Sequence, residues 1–281
     1  MDPIVRIYDL LLAPVPPFTW FGLSFSTLDV AGAVRLCVAL RQIKELLHKQ
    51  QAVEPGGKVA KIEDDSFVKS AAATLTVVFG GEVVTGPLLG VTPSFMISPT
   101  VTALFVGIQA LVDKFPSIPA PFYELEMPLS ILDGFTRAAL LCDFIAPSVT
   151  ANASSKIAES PWTLLITAFL SANGGFFLVN LLSFMHPGGL KLQTPPEMLP
   201  YGWTTTDLWC APLITGLYAF LTHAQPFWGE LRTSFMGANT APVDPASARA
   251  LCALVLVGLF TVRTTKNFRQ VAQPAEKVKT Q

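Results

Sequence analysis

The stretch FGGEVVTGPLLG, residues Phe79–Gly90, lies inside a long apolar run of the chain. It contains the pair Gly80-Gly81, the carboxylate of Glu82, and then another glycine followed by a proline. In a membrane helix, small residues let a second backbone come close, while a glycine or proline frees backbone groups that need partners inside the protein. A carboxylate at membrane depth is costly and usually faces a cavity or a partner. The stretch therefore predicts the centre of a membrane protein.

The composition also indicates an integral membrane protein. Of the 281 residues, 51% are hydrophobic and 14% are charged, whereas soluble domains carry about 25% charged residues. The net charge of −1 gives no electrostatic reason to expect a nucleic-acid partner. The four cysteines lie far apart in apolar segments, which predicts buried free thiols and no metal site. No arrangement of serine, cysteine and histidine resembles a catalytic set, so we do not expect an enzyme.

Seven apolar segments have about the length that crosses a membrane as a helix, which is roughly 20 residues. Residues typical of turns, chiefly glycine and proline, separate these segments. The short connections favour a single transmembrane domain over 1–281, with 265–281 as a basic tail. The seven segments are approximately 21–46, 68–91, 95–112, 128–148, 162–185, 204–223 and 246–264.

The basic residues in the connections, in the tails and at the adjoining ends of the segments predict the orientation, because lysine and arginine favour cytosolic loops. Thirteen fall on the side of the C-terminus, and only Arg6, Lys156 and Arg232 fall on the other side. This predicts a lumenal N-terminus and a cytosolic C-terminus. The glycosylation sequon at Asn152 would then be lumenal, although such a short pattern also arises by chance. The thirteen basic residues are Arg41, Lys44, Lys49, Lys58, Lys61, Lys69, Lys114, Lys191, Arg263, Lys266, Arg269, Lys277 and Lys279.

The end of the basic tail resembles a sorting signal. Lys277 and Lys279 lie close to the C-terminus and resemble a dilysine retrieval signal of the endoplasmic reticulum. A solvated basic segment near lipid is the alternative reading of the same residues.

A second copy of the opening stretch occurs in the fifth segment. When Gly174-Gly175 is aligned with Gly80-Gly81, large apolar residues follow each pair and a Leu-Leu closes each copy. Segments 1–3 and 4–6, residues 21–112 and 128–223, would then be two repeats, with the seventh segment extra (3+3+1). An odd number of spans makes the repeats inverted, and such repeats place sites near the midplane on interrupted helices. We therefore expect both glycine pairs to interrupt their helices, unless the likeness is one of ordinary apolar composition.

Ionisable residues inside the apolar segments are candidates for function. Such residues either line an ion or substrate path or neutralise each other structurally. Asp133 and Arg137 are four residues apart, so they share one helix face and could pair. Glu82 could face a path or could cap backbone freed by the glycines. The full set is Asp29, Arg35, Glu82, Asp133, Arg137, Asp143 and Asp207, of which Asp29 and Asp207 lie near segment ends.

Several short motifs occur in this order along the chain: Phe79-Gly80, Leu88-Leu89-Gly90, Arg137, and Gly174 with Asn180. Their order is similar to that of the trimeric intracellular cation channel (TRIC) family. Phe79-Gly80 followed by Leu88-Leu89-Gly90 resembles the family's second-span pattern. Arg137, nine residues after a proline, matches the lysine of a fourth-span Lys-Glu-Val motif, but the Glu-Val is absent. Gly174 and Asn180 match a fifth-span glycine and asparagine, and Ser171 stands where the family has a second basic residue. The resemblance implies an all-α 3+3+1 fold, a symmetric homotrimer and one pore per subunit.

The resemblance also implies a channel for monovalent cations, potassium chiefly or sodium, in the endoplasmic reticulum or nuclear membrane. Its flux would balance the charge moved by calcium release and uptake. Oxygens of Glu82, Asp133 and Asn180 would coordinate a partly dehydrated cation, and Arg137 would contact an anionic lipid head group such as a phosphoinositide. We expect no other cofactor and no metal site. The predicted ion path comprises Gly80, Gly81, Glu82, Asp133, Arg137, Gly174, Gly175 and Asn180.

Two alternatives use the same residues differently. An inverted-repeat transporter would carry a small solute or ion by alternating access. A non-conducting membrane scaffold would keep the fold without the path, and the absence of the second base and of the Glu-Val favours it.

Overall fold

The computed structural model describes residues 2–16, 24–53, 66–187, 189–237 and 240–272. These residues form helices and no β-strand, apart from one isolated bridge between Pro14 and Ser26. A π-helical segment, Leu140–Ile145, joins α6 to α7 without a break. In chain order the helices are α1 (Asp2–Leu12), α2 (Thr27–Val53), α3 (Phe67–Leu89), α4 (Ser94–Ile97), α5 (Thr100–Val112), α6 (Tyr123–Ala139), α7 (Ala146–Thr150), α8 (Ser155–Ala158), α9 (Pro161–Leu181), α10 (Thr206–Thr222), α11 (Pro226–Met236) and α12 (Pro245–Ala272).

Three of these helices are long and apolar enough to cross a membrane: α3, α9 and the part of α12 over Pro245–Arg269. They identify a membrane-associated, helical protein. The other predicted segments are also helical, but each departs from a simple span. Helix α5 has 13 residues and α10 has 17, the fourth segment contains the π-helix, and the 27-residue α2 carries charges along its second half.

Helix α2 continues to Val53, seven residues beyond the predicted end of the first segment. Arg41 and Lys44 therefore lie within a helix, and their assignment to the connection between segments is wrong. Both side chains are buried because each has a polar partner. Arg41 pairs with Glu45 one turn later, at 3.0 Å, and Lys44 donates to Ser70 Oγ at 3.0 Å. An ion pair at this spacing supports the helix where its apolar pattern ends.

The third segment is divided rather than continuous. Helix α4 ends at Ile97, and α5 begins at Thr100, directly after Pro99. A proline cannot supply the backbone N–H that an uninterrupted helix needs at this position. The chain also forms two amphipathic helices outside the predicted segments, α1 and α11.

Two groups of helices make up the bundle. The main apolar core lies among α6, the π-helix, α9, α10 and α12, and Tyr8 of α1 is fully buried against it. A smaller core lies between α2 and α5. Helix α12 packs closely on α6, because Gly134 of α6 leaves room for the backbone of α12 at Val257. A Cβ at Gly134 would be 2.8 Å from the Val257 backbone nitrogen. The two groups meet where α2 contacts α6 and where α3 crosses α9.

Candidate functional site

Helices α3 and α9 touch at their glycine pairs. A Cβ added to Gly81 would lie 2.1 Å from the carbonyl oxygen of Ser171, and one added to Gly175 would lie 2.1 Å from the carbonyl oxygen of Val77. Thr85 meets Ser171 and Val77 meets Gly175, so residue numbers rise on one helix as they fall on the other. The helices therefore cross antiparallel, with backbone against backbone. We call this contact the glycine crossing.

The expected interruption of these two helices is wrong. Helix α3 runs unbroken from Phe67 to Leu89, and α9 runs unbroken from Pro161 to Leu181. The missing side chains of Gly80, Gly81, Gly174 and Gly175 provide room for the neighbouring backbone rather than a break. The irregular backbone lies instead in the fourth segment, as the π-helix Leu140–Ile145, a feature that often marks functional positions.

Two hydroxyl groups flank the glycine crossing. Thr85 Oγ1 donates to the carbonyl oxygen of Gly81 at 3.0 Å and lies 3.0 Å from Ser171 Oγ. Ser171 occupies the position where the TRIC pattern has a second basic residue. The crossing therefore holds small polar groups at this place, and Thr85 is a site residue that the sequence reasoning missed.

Glu82 lies away from the other predicted site residues. Its carboxylate accepts hydrogen bonds from the Ser94 backbone nitrogen at 2.6 Å and from Ser94 Oγ at 2.8 Å. The carboxylate thus holds the start of the short helix α4 against α3. Of the two roles considered for Glu82, the observed one is capping of backbone, although of α4 rather than of the glycines.

Asp133 pairs with a residue on another helix. Arg35 of α2 lies 3.4 Å from Asp133 Oδ2 and 2.7 Å from Glu126 Oε2, so one guanidinium joins two carboxylates of α6. Arg137 makes a different contact: its Nη1 donates to the carbonyl oxygen of Ala172 at 3.1 Å. Ala172 is two residues before Gly174, so Arg137 lies beside the glycine crossing. Asp133 therefore pairs with Arg35 and not, as expected, with Arg137.

These charged side chains follow one face of α6. Glu126, Asp133 and Arg137 are spaced by seven and four residues, which repeats one face of a helix over about 16 Å. With Arg35 they form a line of alternating charge, which we call the charge line. One end of the charge line is Arg137 at the glycine crossing. The other end is Glu126, which lines an open cavity.

The cavity lies at the end of the bundle where α6 and α10 begin and α12 ends. Its volume is about 370 Å³, which is within the range of small-molecule sites. Arg263 of α12 forms an ion pair with Asp207 at the start of α10, and both side chains line the cavity. Its lining residues include Glu126, Asp207, Arg263, Thr264, Asn267 and Phe268.

A third arginine pair lies at the opposite end of α12. Arg249 Nη1 donates to Asp143 Oδ2 of the π-helix at 2.7 Å, and its guanidinium stacks 4.6 Å from the centre of the Tyr8 ring. The Tyr8 hydroxyl donates to the carbonyl oxygen of Phe135 at 2.9 Å. Asp143 and Asp207 were predicted as charges within the segments, whereas Arg249 and Arg263 were not. Because neither carboxylate has a basic residue of its own segment as a predicted partner, each could have indicated a basic residue on another helix.

Asn180 lies near the end of α9, about 9 Å along the axis from Gly174. Its carbonyl oxygen accepts a hydrogen bond from the Ser183 nitrogen at 3.1 Å. Asn173, which was not predicted, is the asparagine that links helices, because its Nδ2 donates to the carbonyl oxygen of Leu208 at 3.2 Å. The structure therefore brings Arg137 and the four glycines together, whereas the carboxylate of Glu82 is bound to α4 and Asn180 lies farther along α9.

Three remaining predictions concern residues outside the path. The four cysteines are buried and free, as predicted. Asn152 donates to the carbonyl oxygen of Leu89 at 2.8 Å and accepts from the Ser154 nitrogen at 2.9 Å, which ties its side chain to the fold. Lys277 and Lys279 lie outside the described residues. Within the described ranges, no three histidine, cysteine, aspartate or glutamate side chains are grouped as metal ligands.

No family model, curated protein or solved structure matches the chain. The resemblance to the TRIC family therefore stays a prediction from the order of short motifs.

Proposed function

We propose that the chain is an intracellular channel for monovalent cations, chiefly potassium, in the endoplasmic reticulum membrane. Its flux would balance the charge moved by calcium release and uptake. The observation that carries this proposal is the charge line, which runs from the open cavity at Glu126 to Arg137 beside the glycine crossing. Charged side chains inside a membrane bundle are expensive and commonly mark an ion path.

The helix contacts support an inverted-repeat arrangement as part of this proposal. Under a 3+3+1 fold with seven spans, α2 is equivalent to α6 and α3 is equivalent to α9. These two pairs are each in contact, and α3 and α9 run antiparallel. Sites in such folds lie where the two repeats meet, which is where the charge line and the glycine crossing are found. With a lumenal N-terminus, the cavity faces the cytosol.

The proposed mechanism starts from a closed path. Arg35 neutralises Glu126 and Asp133, and Arg137 is bound to a backbone carbonyl of α9. A cation would pass when these arginines move aside and leave the carboxylate oxygens to replace part of its hydration shell. The backbones of α3 and α9 are in direct contact, so the path runs beside the glycine crossing and not between those two helices.

Two further parts of the proposal concern partners. Arg137, once released from the carbonyl of Ala172, would bind an anionic lipid head group such as a phosphoinositide. The channel would assemble as a homotrimer with one path per subunit, as the likeness to the TRIC family implies.

Flux from liposomes tests the proposal. The full-length chain is reconstituted and potassium efflux is followed with an indicator dye, for wild type, Arg137→Ala and Arg269→Ala. Arg269 is an exposed base near the end of α12, so it controls for the loss of one positive charge. We expect wild-type efflux, a severalfold change for Arg137→Ala, and no change for Arg269→Ala. Absence of wild-type efflux, or equal effects of the two substitutions, would reject the proposal.

An inverted-repeat transporter is the second candidate, and the shape of the cavity favours it. The cavity opens at one end of the bundle, and ion pairs close the interior beyond it, which is also the arrangement of an alternating-access protein open to one side. Efflux that saturates with substrate and follows a second gradient would select the transporter over the channel. A scaffold would give no efflux at all.

A further inference from the structure

The arginine pairs formed by Arg35, Arg249 and Arg263 differ in how far water reaches them. The side chains of Arg35 and Glu126 are 15% and 12% exposed, and those of Arg249 and Asp143 are 12% and 29% exposed. The side chains of Arg263 and Asp207 are 24% and 47% exposed, which makes this pair the most accessible of the three. Ion pairs that water reaches are weak, because solvent screens the attraction and the side chains lose conformational freedom.

The surroundings of the Arg263–Asp207 pair also differ from those of the pair at the other end of α12. Arg249 is enclosed by Asp143 and by the buried ring of Tyr8. Arg263 stacks on the buried ring of Phe260 of its own helix, at 4.5 Å, and lines the cavity together with Asp207 and Asn267. Of the two ion pairs on α12, the one at the cavity is therefore the more accessible to dissolved ions.

We propose that Asp207 is a binding site for a small monovalent cation and that the Arg263 guanidinium, the internal counter-ion, competes with that cation for the carboxylate. A dissolved cation that binds Asp207 replaces Arg263, which then turns into the open cavity. The site deepens the proposed function, since it would supply the cytosolic mouth of the ion path with its first carboxylate. Asp207 and Arg263 thereby set how strongly cations gather at the cavity.

The chemistry of the cavity favours a small cation over an anion. Two carboxylates, Asp207 and Glu126, and the amide of Asn267 offer oxygen atoms to the space, and oxygen ligands suit hard cations. The basic group that lines the cavity, Arg263, is tethered by one side chain and can leave Asp207 by rotation. The carboxylate of Glu126 is engaged by Arg35 at 2.7 Å, so Asp207 is the carboxylate that becomes available first.

Binding of sodium measured by ²³Na line broadening tests this site on the full-length chain in nanodiscs of neutral lipid. The variants are Arg263→Gln, which frees Asp207, and Asp207→Asn, which removes the ligand. Lys266→Gln and Glu124→Gln are matched controls, because both residues are exposed, at the ends of α12 and α6 that the cavity joins. We expect Arg263→Gln to bind sodium about two- to fivefold more tightly, the range over which a partly exposed ion pair competes, and Asp207→Asn to lose the binding.

Equal binding by Arg263→Gln and Lys266→Gln, or binding retained in Asp207→Asn, would overturn the site. If the Arg263→Gln protein does not stay monodisperse, the test is the comparison of sodium binding between Asp207→Asn and its control Glu124→Gln. Potassium efflux measured on the same preparations separates this inference from the proposed function. Sodium binding that depends on Asp207, without any potassium efflux, would support the site and reject the channel. Potassium efflux with sodium binding unchanged in the Arg263 and Asp207 variants would support the channel and reject the site.

Discussion

Gly81 and Ser171 lie in backbone contact across two helices: a Cβ on Gly81 would be 2.1 Å from the carbonyl oxygen of Ser171. Backbone cannot yield to such a clash in the way that a flexible side chain can. The glycine is therefore required by the neighbouring helix and not by its own conformation, because α3 is regular at this residue. The fit of α3 against α9 depends on this contact and on its counterpart at Gly175.

Substitution of Gly81 by alanine should destabilise the protein. Overpacking of this kind costs about 1–3 kcal/mol, which exceeds the gain of roughly 1 kcal/mol expected when alanine replaces glycine in a helix. Gly258→Ala is the control, since a Cβ on that helical glycine meets nothing within 4 Å. Thermal unfolding in detergent should show a lower midpoint for Gly81→Ala and an equal or higher one for Gly258→Ala. Equal midpoints for the two variants would contradict the close approach.

Removal of the Ser94 hydroxyl should lower stability without changing ion flux. Ser94 presents its backbone N–H and its hydroxyl to Glu82, at 2.6 and 2.8 Å. Loss of the hydroxyl contact in Ser94→Ala should cost about 0.5–2 kcal/mol, as for capping contacts elsewhere. A double-mutant cycle with Glu82→Gln should give a coupling energy clearly different from zero. A Glu82→Gln variant with normal stability and altered ion flux would contradict the structural role and show that Glu82 lines the ion path.

Removal of Arg249 should destabilise the protein strongly, because it leaves the Asp143 carboxylate without its partner at 2.7 Å. Breaking one side of a fully buried pair costs about 3–5 kcal/mol, and replacing both partners by uncharged groups costs much less. The Arg249–Asp143 side chains are 12% and 29% exposed, so the loss should lie below that range. Arg249→Met should therefore unfold at a clearly lower temperature than wild type, and Arg249→Met combined with Asp143→Asn should recover part of the loss. A double variant no more stable than Arg249→Met alone would argue against this pair.

Stability should fall at acid pH partly through Asp244, which precedes α12. Hydrogen bonds from Ser247, chiefly from its backbone N–H at 2.9 Å, hold the pKa of the Asp244 carboxyl below its ordinary value. A carboxyl with a lowered folded-state pKa stabilises the fold above its unfolded pKa of about 3.9, and this contribution is lost as the pH falls through the folded pKa. The unfolding midpoints of wild type and Asp244→Ala should differ at pH 6 and converge towards pH 3. A difference that does not change with pH would exclude this origin.

The sequence was sufficient to predict the helical class and the membrane association. Apolar length and small residues specify these features locally, as for α3 and α9. The continuation of α2 to Val53 could not be predicted in this way, since its charged second half finds partners elsewhere in the fold, as Arg41 does with Asp113, the residue that follows α5, at 3.5 Å. Tertiary partners thus extended a helix through residues that resemble a loop.

The candidate site was predicted in part for the same reason. Arg137 and the four glycines were identified, because a base or a glycine pair inside an apolar segment is conspicuous. The partner of Asp133 was missed, since Arg35 lies 98 residues away in the chain. Spacing of four residues favoured Arg137 as the partner, but that guanidinium is drawn to the carbonyl of Ala172 on α9. The pairing of charges is decided by helix packing, which the chain does not reveal residue by residue.

Single-channel recording across a planar bilayer is the most direct test of conduction through the charge line. Under a tenfold gradient of potassium chloride, a cation-selective path reverses at a potential of magnitude about 59 mV. We expect unitary steps with a reversal close to that value for wild type and for Glu124→Gln, and a smaller conductance and reversal potential for Asp133→Asn. Absence of unitary steps in the wild-type protein, or a reversal near zero, would contradict conduction through the charge line.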